Sequence, residues 1–198
     1  MRLGCILLAA GCGRRFGGNK LTHCIDGKPM IEHACALHAS LDYAARVLVA
    51  RPDDAFVHAY AARYGFPLAV NPRFEQGIGT SAAAGMAALT ATGAKLDGAL
   101  FAVCDQPYLS AETVNALIAR FTDLPACIIA PAFGGRRGNP VIFPSALFEQ
   151  FRPLNGDAGG AAVIRSNPQL LRLVPIDREW ELLDIDTRGA ADDIIKRT

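Results

Sequence analysis

The chain has 198 residues, of which 51% are hydrophobic and 20% charged, and its formal net charge is +1. That length makes one domain of ordinary size with a sizeable core. The near-neutral balance excludes a global field for nucleic acid or acidic membranes, so any attraction for anions must be local. No apolar run approaches the roughly 18 residues of a membrane-spanning helix, and a soluble, cytoplasmic protein is the expectation.

The first predicted element is the apolar run from Leu3 to Ala9, of the kind found in a buried parallel strand. It delivers the stretch Leu8-Ala9-Ala10-Gly11-Cys12-Gly13-Arg14-Arg15-Phe16-Gly17-Gly18-Asn19-Lys20. Glycines there allow positive φ and close backbone approach, so amide groups can face an anion. Arg14 and Arg15 add planar forks suited to phosphate oxygens, and Lys20 a compact charge on a long stem. A loop holding polyphosphate is the leading reading; a glycine-rich turn whose arginines only solvate it is the plain alternative. Lys20 is followed by Leu21, so the loop is not a G-x-x-x-x-G-K-[ST] P-loop, and its glycine spacing is not the dinucleotide G-x-G-x-x-G. Ala9-Ala10-Gly11-Cys12 has the look of a lipoprotein cleavage site, but the apolar run before it is too short for a secretory leader.

Further strands are predicted near 45–50, 67–70, 98–103 and 126–130, with helical periodicity between them over Pro29–Leu41, Ser81–Ala91 and Ala111–Phe121, the last capped by Ser110. Gly85 and the alanines around it keep the middle helix thin. From about Pro131 the pattern reads as an inserted hairpin around Arg136-Arg137-Gly138-Asn139-Pro140, two short helices, late strands and a helix from Ala190. This alternation, with no linker or repeat, predicts one α/β domain with a mostly parallel sheet.

Chemistry is predicted at three further places. Val103-Cys104-Asp105-Gln106-Pro107 sets a carboxylate at the carboxyl end of an apolar strand, where open parallel sheets bind ligands. There it could hold Mg²⁺, which takes hard oxygen ligands, or merely cap the next helix. Asp184-Ile185-Asp186-Thr187 puts two acids on one face if extended, as a second metal ligand or as caps of the last helix. Asn71-Pro72-Arg73-Phe74-Glu75-Gln76-Gly77-Ile78-Gly79-Thr80-Ser81 runs into a helix start whose amides could read a base edge or ribose; Ser81 suits an N-cap or a ligand hydroxyl equally. The six cysteines show no zinc or disulfide spacing and read as reduced, with Cys12 and Cys104 beside the expected site. His23, His33, His38 and His58 fall outside the motifs and read as surface or packing residues.

Taken in order, these motifs, with Gly138-Asn139-Pro140-Val141 and Gly156-Asp157, resemble over nearly the whole chain the molybdenum cofactor nucleotidyltransferases, the cytidylyltransferases and guanylyltransferases that attach a nucleotide to molybdopterin. The resemblance implies a single Rossmann-like nucleotidyltransferase domain over residues 1–198 and Mg²⁺-dependent transfer of a nucleoside monophosphate to an acceptor phosphate, releasing pyrophosphate. It implies nucleotide contacts at Leu8, Ala9, Ala10, Gly11, Gly13, Arg14, Arg15, Lys20, Gly79, Thr80 and Ser81. Catalytic roles fall to Arg15, Lys20 and Asp105, metal binding to Asp105 and Asp186, and acceptor binding to Arg136, Asn139 and Asp157. Ala10 resembles the cytidylyltransferase side, where guanylyltransferases usually show Leu-Ala-Gly-Gly, which favours CTP over GTP. Where related chains often carry basic residues after Gly-Asp, this one reads Ala158-Gly159-Gly160-Ala161, leaving Arg136 and Arg137 to supply anion contacts. A molybdoenzyme receiving the product is the implied partner, with neither nucleic acid nor membrane involved. A guanylyltransferase, a transferase acting on another small acceptor, and a non-catalytic binding and delivery protein are the competing readings.

Overall fold

The computed structural model describes residues 1–11, 13 and 16–187. Cys12, Arg14, Arg15 and the helix expected from Ala190 lie outside the described residues. The strands are β1 (Leu3–Leu8), β2 (Cys24–Ile25), β3 (Lys28–Pro29), β4 (Ala45–Ala50), β5 (Leu68–Val70), β6 (Gly98–Val103), β7 (Ile128–Phe133), β8 (Arg136–Arg137), β9 (Val141–Pro144) and β10 (Leu171–Pro175). The α-helices among the described residues are α1 (Met30–Ala39), α2 (Ala55–Arg63), α3 (Ile78–Ala91), α4 (Ala111–Asp123) and α5 (Gly160–Ser166). None is long and apolar enough to cross a membrane.

The main sheet runs β10-β7-β9-β6-β1-β4-β5, with β8 hydrogen-bonded to β7. Strands β6, β1, β4 and β5 are parallel, as are β7 and β10. β9 is antiparallel to both β6 and β7 and separates them. The hairpin read around Arg136 is thus two devices. Gly134 and Gly135, both at positive φ, turn β7 back into β8, and the chain then crosses to insert β9 between the two halves of the sheet.

Side-chain alternation along β1 makes a three-layer core. Cys5 and Leu7 join one buried cluster with α1, α2 and α4, while Ile6 joins another with α3 and α5. Gly85 lets α3 lie flat on the sheet, since a Cβ there would stand 2.6 Å from Ile6 Cγ2 and 2.8 Å from Val49 Cγ2. Ser110 caps α4, its side chain accepting from Thr113 N–H. α3 begins at Ile78 rather than Ser81: Gly77, at φ 105°, opens the first turn, and the Thr80 hydroxyl bonds back to the Gly77 carbonyl at 2.9 Å. Ser81 therefore lies within the first turn of the helix and is not its N-cap. At the other end of the chain, Ile185 is fully buried and its N–H donates to the Asp105 carbonyl at 2.9 Å, pinning the 184–187 segment to the carboxyl end of β6.

Candidate active site

β1 and β6 are neighbours with parallel register from Leu3↔Gly98 to Leu8↔Val103, so the segments that follow them leave the sheet side by side. After β1, Ala9 and Ala10 are buried and Gly11 emerges into solvent. The loop then closes on itself at Gly13, whose carbonyl accepts from Phe16 N–H at 2.9 Å. Gly13 has φ 57°, and a Cβ there would stand 2.4 Å from the Gly18 carbonyl oxygen, so only glycine fits. The loop ends at Asn19, which accepts from Leu21 N–H through its side chain and donates to Asp54 Oδ2 at 2.9 Å. That clamp fixes the root of Lys20 and aims its stem across to β6.

Lys20 Nζ contacts Asp105 Oδ2 and lies 3.1 Å from Asp186 Oδ1. Burial works against the Lys20 charge, but the two carboxylates outweigh it and hold its pKa above the ordinary lysine value. Asp105 Oδ1 is buried with no hydrogen-bond partner. Behind it, Gln106 Nε2 donates to Asp184 Oδ1 at 2.9 Å and to the Leu182 carbonyl at 3.2 Å, while Gln106 Oε1 is buried and unpartnered. Asp184 is pushed up to about 6, first by burial and next by the Asp105 charge. The extended 184–187 segment thus does what alternation predicts: Ile185 points inward, and Asp184 and Asp186 both line the cleft.

Two cavities meet here. The larger, of about 500 Å³, runs from Ala9, Ala10, Gly11 and Gly13 past Ser81 to Lys20, Asp105 and Asp186. The smaller, of about 270 Å³, is walled by Arg136, Arg137 and Gln106 over an apolar floor that includes Phe101 and Phe143. Leu8, Asn139, Asp157 and Asp184 line both. The structure therefore brings Leu8, Ala9, Ala10, Gly11, Gly13, Lys20, Ser81, Asp105 and Asp186 to one cleft, and Arg136, Asn139 and Asp157 to the space beside it.

Gly79 and Thr80 are placed differently. Gly79 N–H donates to the Gly156 carbonyl at 2.8 Å, and its Cα faces the Asn155 backbone. Thr80 is fully buried, its hydroxyl donating to the Arg73 and Gly77 carbonyls and accepting from Asn71 Nδ2, each at 2.9 Å. Both are wall, not lining: local sequence offers helix-start amides, but the Gly156 carbonyl has taken that of Gly79 and the Gly77 carbonyl, within the same turn, that of Thr80. Ser81 keeps its place in the cleft, its hydroxyl accepting from Asn71 Nδ2 at 3.0 Å. Asp184 and Arg137, read from sequence as an acid on the metal face and an anion contact, join the site; Gln106 joins it without having been named for a role there, visible beside Asp105 but with its partner 78 residues away.

The histidines stand apart. His33 and His58 bond the Ile25 and Arg51 carbonyls at 2.9 and 2.8 Å, His38 is buried against Tyr43, and His23 packs edge-on to Phe16. Cys104 is buried and its thiol is pushed well above the ordinary range, chiefly by desolvation, which leaves it neither thiolate nor oxidant-accessible. Among the described residues no group of three or more His, Cys, Asp or Glu side chains is arranged to hold a metal. The carboxylates present suit an ion that shares its coordination with phosphate and water. The unpartnered Asp105 Oδ1 fits that donor set.

The sequence matches the family described as "MobA-like NTP transferase domain" over residues 5–172. It is 31% identical over 192 residues to the purine catabolism protein PucB of Bacillus subtilis (strain 168), covering 92% of this chain and 90% of that one. It is 30% identical over 195 residues to nicotine blue oxidoreductase of Paenarthrobacter nicotinovorans, covering 92% and 91%. Among solved structures, Rv0371c of Mycobacterium tuberculosis H37Rv superposes with a TM-score of 0.82 at 22% identity, over 100% of this chain and 98% of that one. A manganese complex of Rv0371c gives a TM-score of 0.77 at 20% identity over the whole of both chains. With a glycine-rich loop after β1, a carboxylate after β6 and a sequence match that spans most of the chain, the protein belongs to the MobA-like NTP transferase family.

Proposed function

We propose that this NTP transferase moves CMP from CTP to the phosphate of a molybdopterin-type acceptor, releasing pyrophosphate. The observation that carries the reading is the junction at Asp105. One of its oxygens is engaged by Lys20 and the other is unpartnered, where the long cleft opens into the arginine-walled cavity. A nucleotide laid along the cleft has its triphosphate at the Gly11–Lys20 loop and its α-phosphorus near Asp105. An acceptor in the second cavity then approaches from the opposite side.

The reaction needs alignment and charge neutralisation more than covalent help from the protein. An acceptor phosphate oxygen bonds to the α-phosphorus as the bond to the bridging oxygen of the β-phosphate breaks, and the electron pair leaves with pyrophosphate. No protein base is required, because the acceptor phosphate is already ionised at neutral pH. Asp105 and Asp186 would hold Mg²⁺, which when bound supplies positive charge to the phosphates. Lys20, with Arg15 from the same loop, offsets the charge that develops on the leaving pyrophosphate. Arg136 and Asn139 orient the acceptor, with Asp157 between the two cavities, and a molybdoenzyme receives the product. Ala10, buried at the base end of the cleft, narrows it in favour of the smaller pyrimidine.

The test is to incubate the protein and Mg²⁺ with molybdopterin and each of CTP, GTP, ATP and UTP, and to follow pyrophosphate. Release with CTP alone is expected. Release with GTP alone would reassign the base, and no release with any nucleotide would remove molybdopterin as the acceptor.

A further inference from the structure

The carboxylates of Asp105 and Asp186 face each other at the end of β6, and one ammonium stands between them. Lys20 Nζ touches Asp105 Oδ2 and Asp186 Oδ1 and so occupies the space between the two carboxylates that a shared cation would need. We infer that Lys20 is an internal placeholder for the divalent cation, filling the space between Asp105 and Asp186 until a triphosphate draws it away. The inference rests on the reading of the cleft as a triphosphate site and of the two aspartates as metal ligands.

A divalent ion and an ammonium cannot both sit between the same two carboxylates without strong mutual repulsion. A free ion entering alone would have to expel Lys20, whose side chain is only 15% exposed, and leave that charge buried without a partner. Arriving with a triphosphate removes the penalty. Lys20 lines the same cleft as Gly11 and Ser81, and its flexible stem can turn from the carboxylates to phosphate oxygens without leaving the cavity. The same side chain therefore opposes binding of the ion alone and favours binding of the ion with nucleotide. By linkage, metal and nucleotide each raise the other's affinity by the same factor.

The experiment follows Mn²⁺ binding by water-proton relaxation, with no nucleotide present, in the wild-type protein and in Lys20→Met. Lys20→Met, which keeps the length of the stem and removes its charge, should bind free Mn²⁺ tighter by roughly tenfold or more, although the same change slows turnover. Equal affinities in two folded proteins, judged by circular dichroism, would overturn the inference. Asp105→Asn in the Lys20→Met background should abolish the gain; a gain that survives places the ion elsewhere and overturns it too. Should Lys20→Met not fold, the wild-type protein decides: tripolyphosphate must raise Mn²⁺ affinity, and no enhancement sinks the idea. Absence of pyrophosphate release with every nucleotide, alongside the Lys20→Met gain, would instead remove the transfer reading and leave the placeholder standing.

Discussion

Asp105 has two oxygens in different circumstances, one engaged by Lys20 and one buried without a partner. Asparagine keeps the shape but loses the charge that a hard cation needs. Asp105→Asn should fold normally by circular dichroism and lose most turnover, and near-normal activity at limiting Mg²⁺ would remove Asp105 from the metal site. Lys20→Ala and Arg15→Ala should each slow turnover by roughly a hundredfold if they stabilise charge that develops only in the transition state. A rise in KM for triphosphate with kcat unchanged would reassign the residue to ground-state binding. Ala10→Gly should widen the base end of the cleft by one methyl group, worth on the order of 1–3 kcal/mol of discrimination. The ratio of kcat/KM for CTP over GTP should then shrink by roughly tenfold; an unchanged ratio would shift base choice to the Ser81 wall. Asp105, Lys20 and Ala10 were legible in the sequence because each sits at a strand end or in a glycine loop. That the Lys20 ammonium lies on Asp105 was not legible, because the two are joined only through the pairing of β1 with β6.

At the scale of elements, the cleft wall depends on α3 meeting the 155–157 loop. A Cβ on Gly79 would stand 2.5 Å from the Asn155 carbonyl oxygen and 2.8 and 2.9 Å from its C and N, all backbone atoms that cannot turn aside as a side-chain tip can. Gly79→Ala gains helix propensity but must push α3 and the loop apart, and overpacking of this kind costs about 1–3 kcal/mol. The expected result is a lower melting temperature together with a raised KM for the nucleotide, because Ser81 and Asp157 line the cleft from the two displaced elements. A melting temperature at or above wild type would show that the contact yields. The strands and the amphipathic α4 were readable from periodicity, since each carries its pattern within a few residues. The early start of α3 was not, because the turn is set by Gly77 at positive φ, where a Cβ would stand 2.3 Å from the Gly156 backbone, a neighbour 79 residues away in sequence. The insertion of β9 between β6 and β7 escaped for a related reason: alternation says that a strand has a buried face and not which strands flank it.

For the molecule as a whole, the three-layer core makes stability depend on pH through a residue far from the chemistry. His38 on α1 is 1% exposed, with Nδ1 2.9 Å from the Tyr43 hydroxyl, and desolvation pushes its pKa down to about 4 from an ordinary 6.5. A depressed histidine pKa means that the folded state holds the ring neutral while the unfolded chain takes up a proton. Its contribution is therefore fully present above about pH 6.5 and is lost as the pH falls toward 4, where the folded protein must itself accept a buried charge. At pH 5 the loss from this residue amounts to about 2 kcal/mol relative to pH 7.5, a sizeable share of the net stability of an ordinary domain. His38→Gln removes the titrating group while leaving a side chain able to hydrogen-bond the Tyr43 hydroxyl. Urea unfolding of both proteins at pH 7.5 and pH 5 measures the difference. The variant should be the less stable of the two at pH 7.5, because the packing around the ring is lost, yet should lose about 2 kcal/mol less than wild type on going to pH 5; equal losses would place the acid sensitivity in the carboxylates instead.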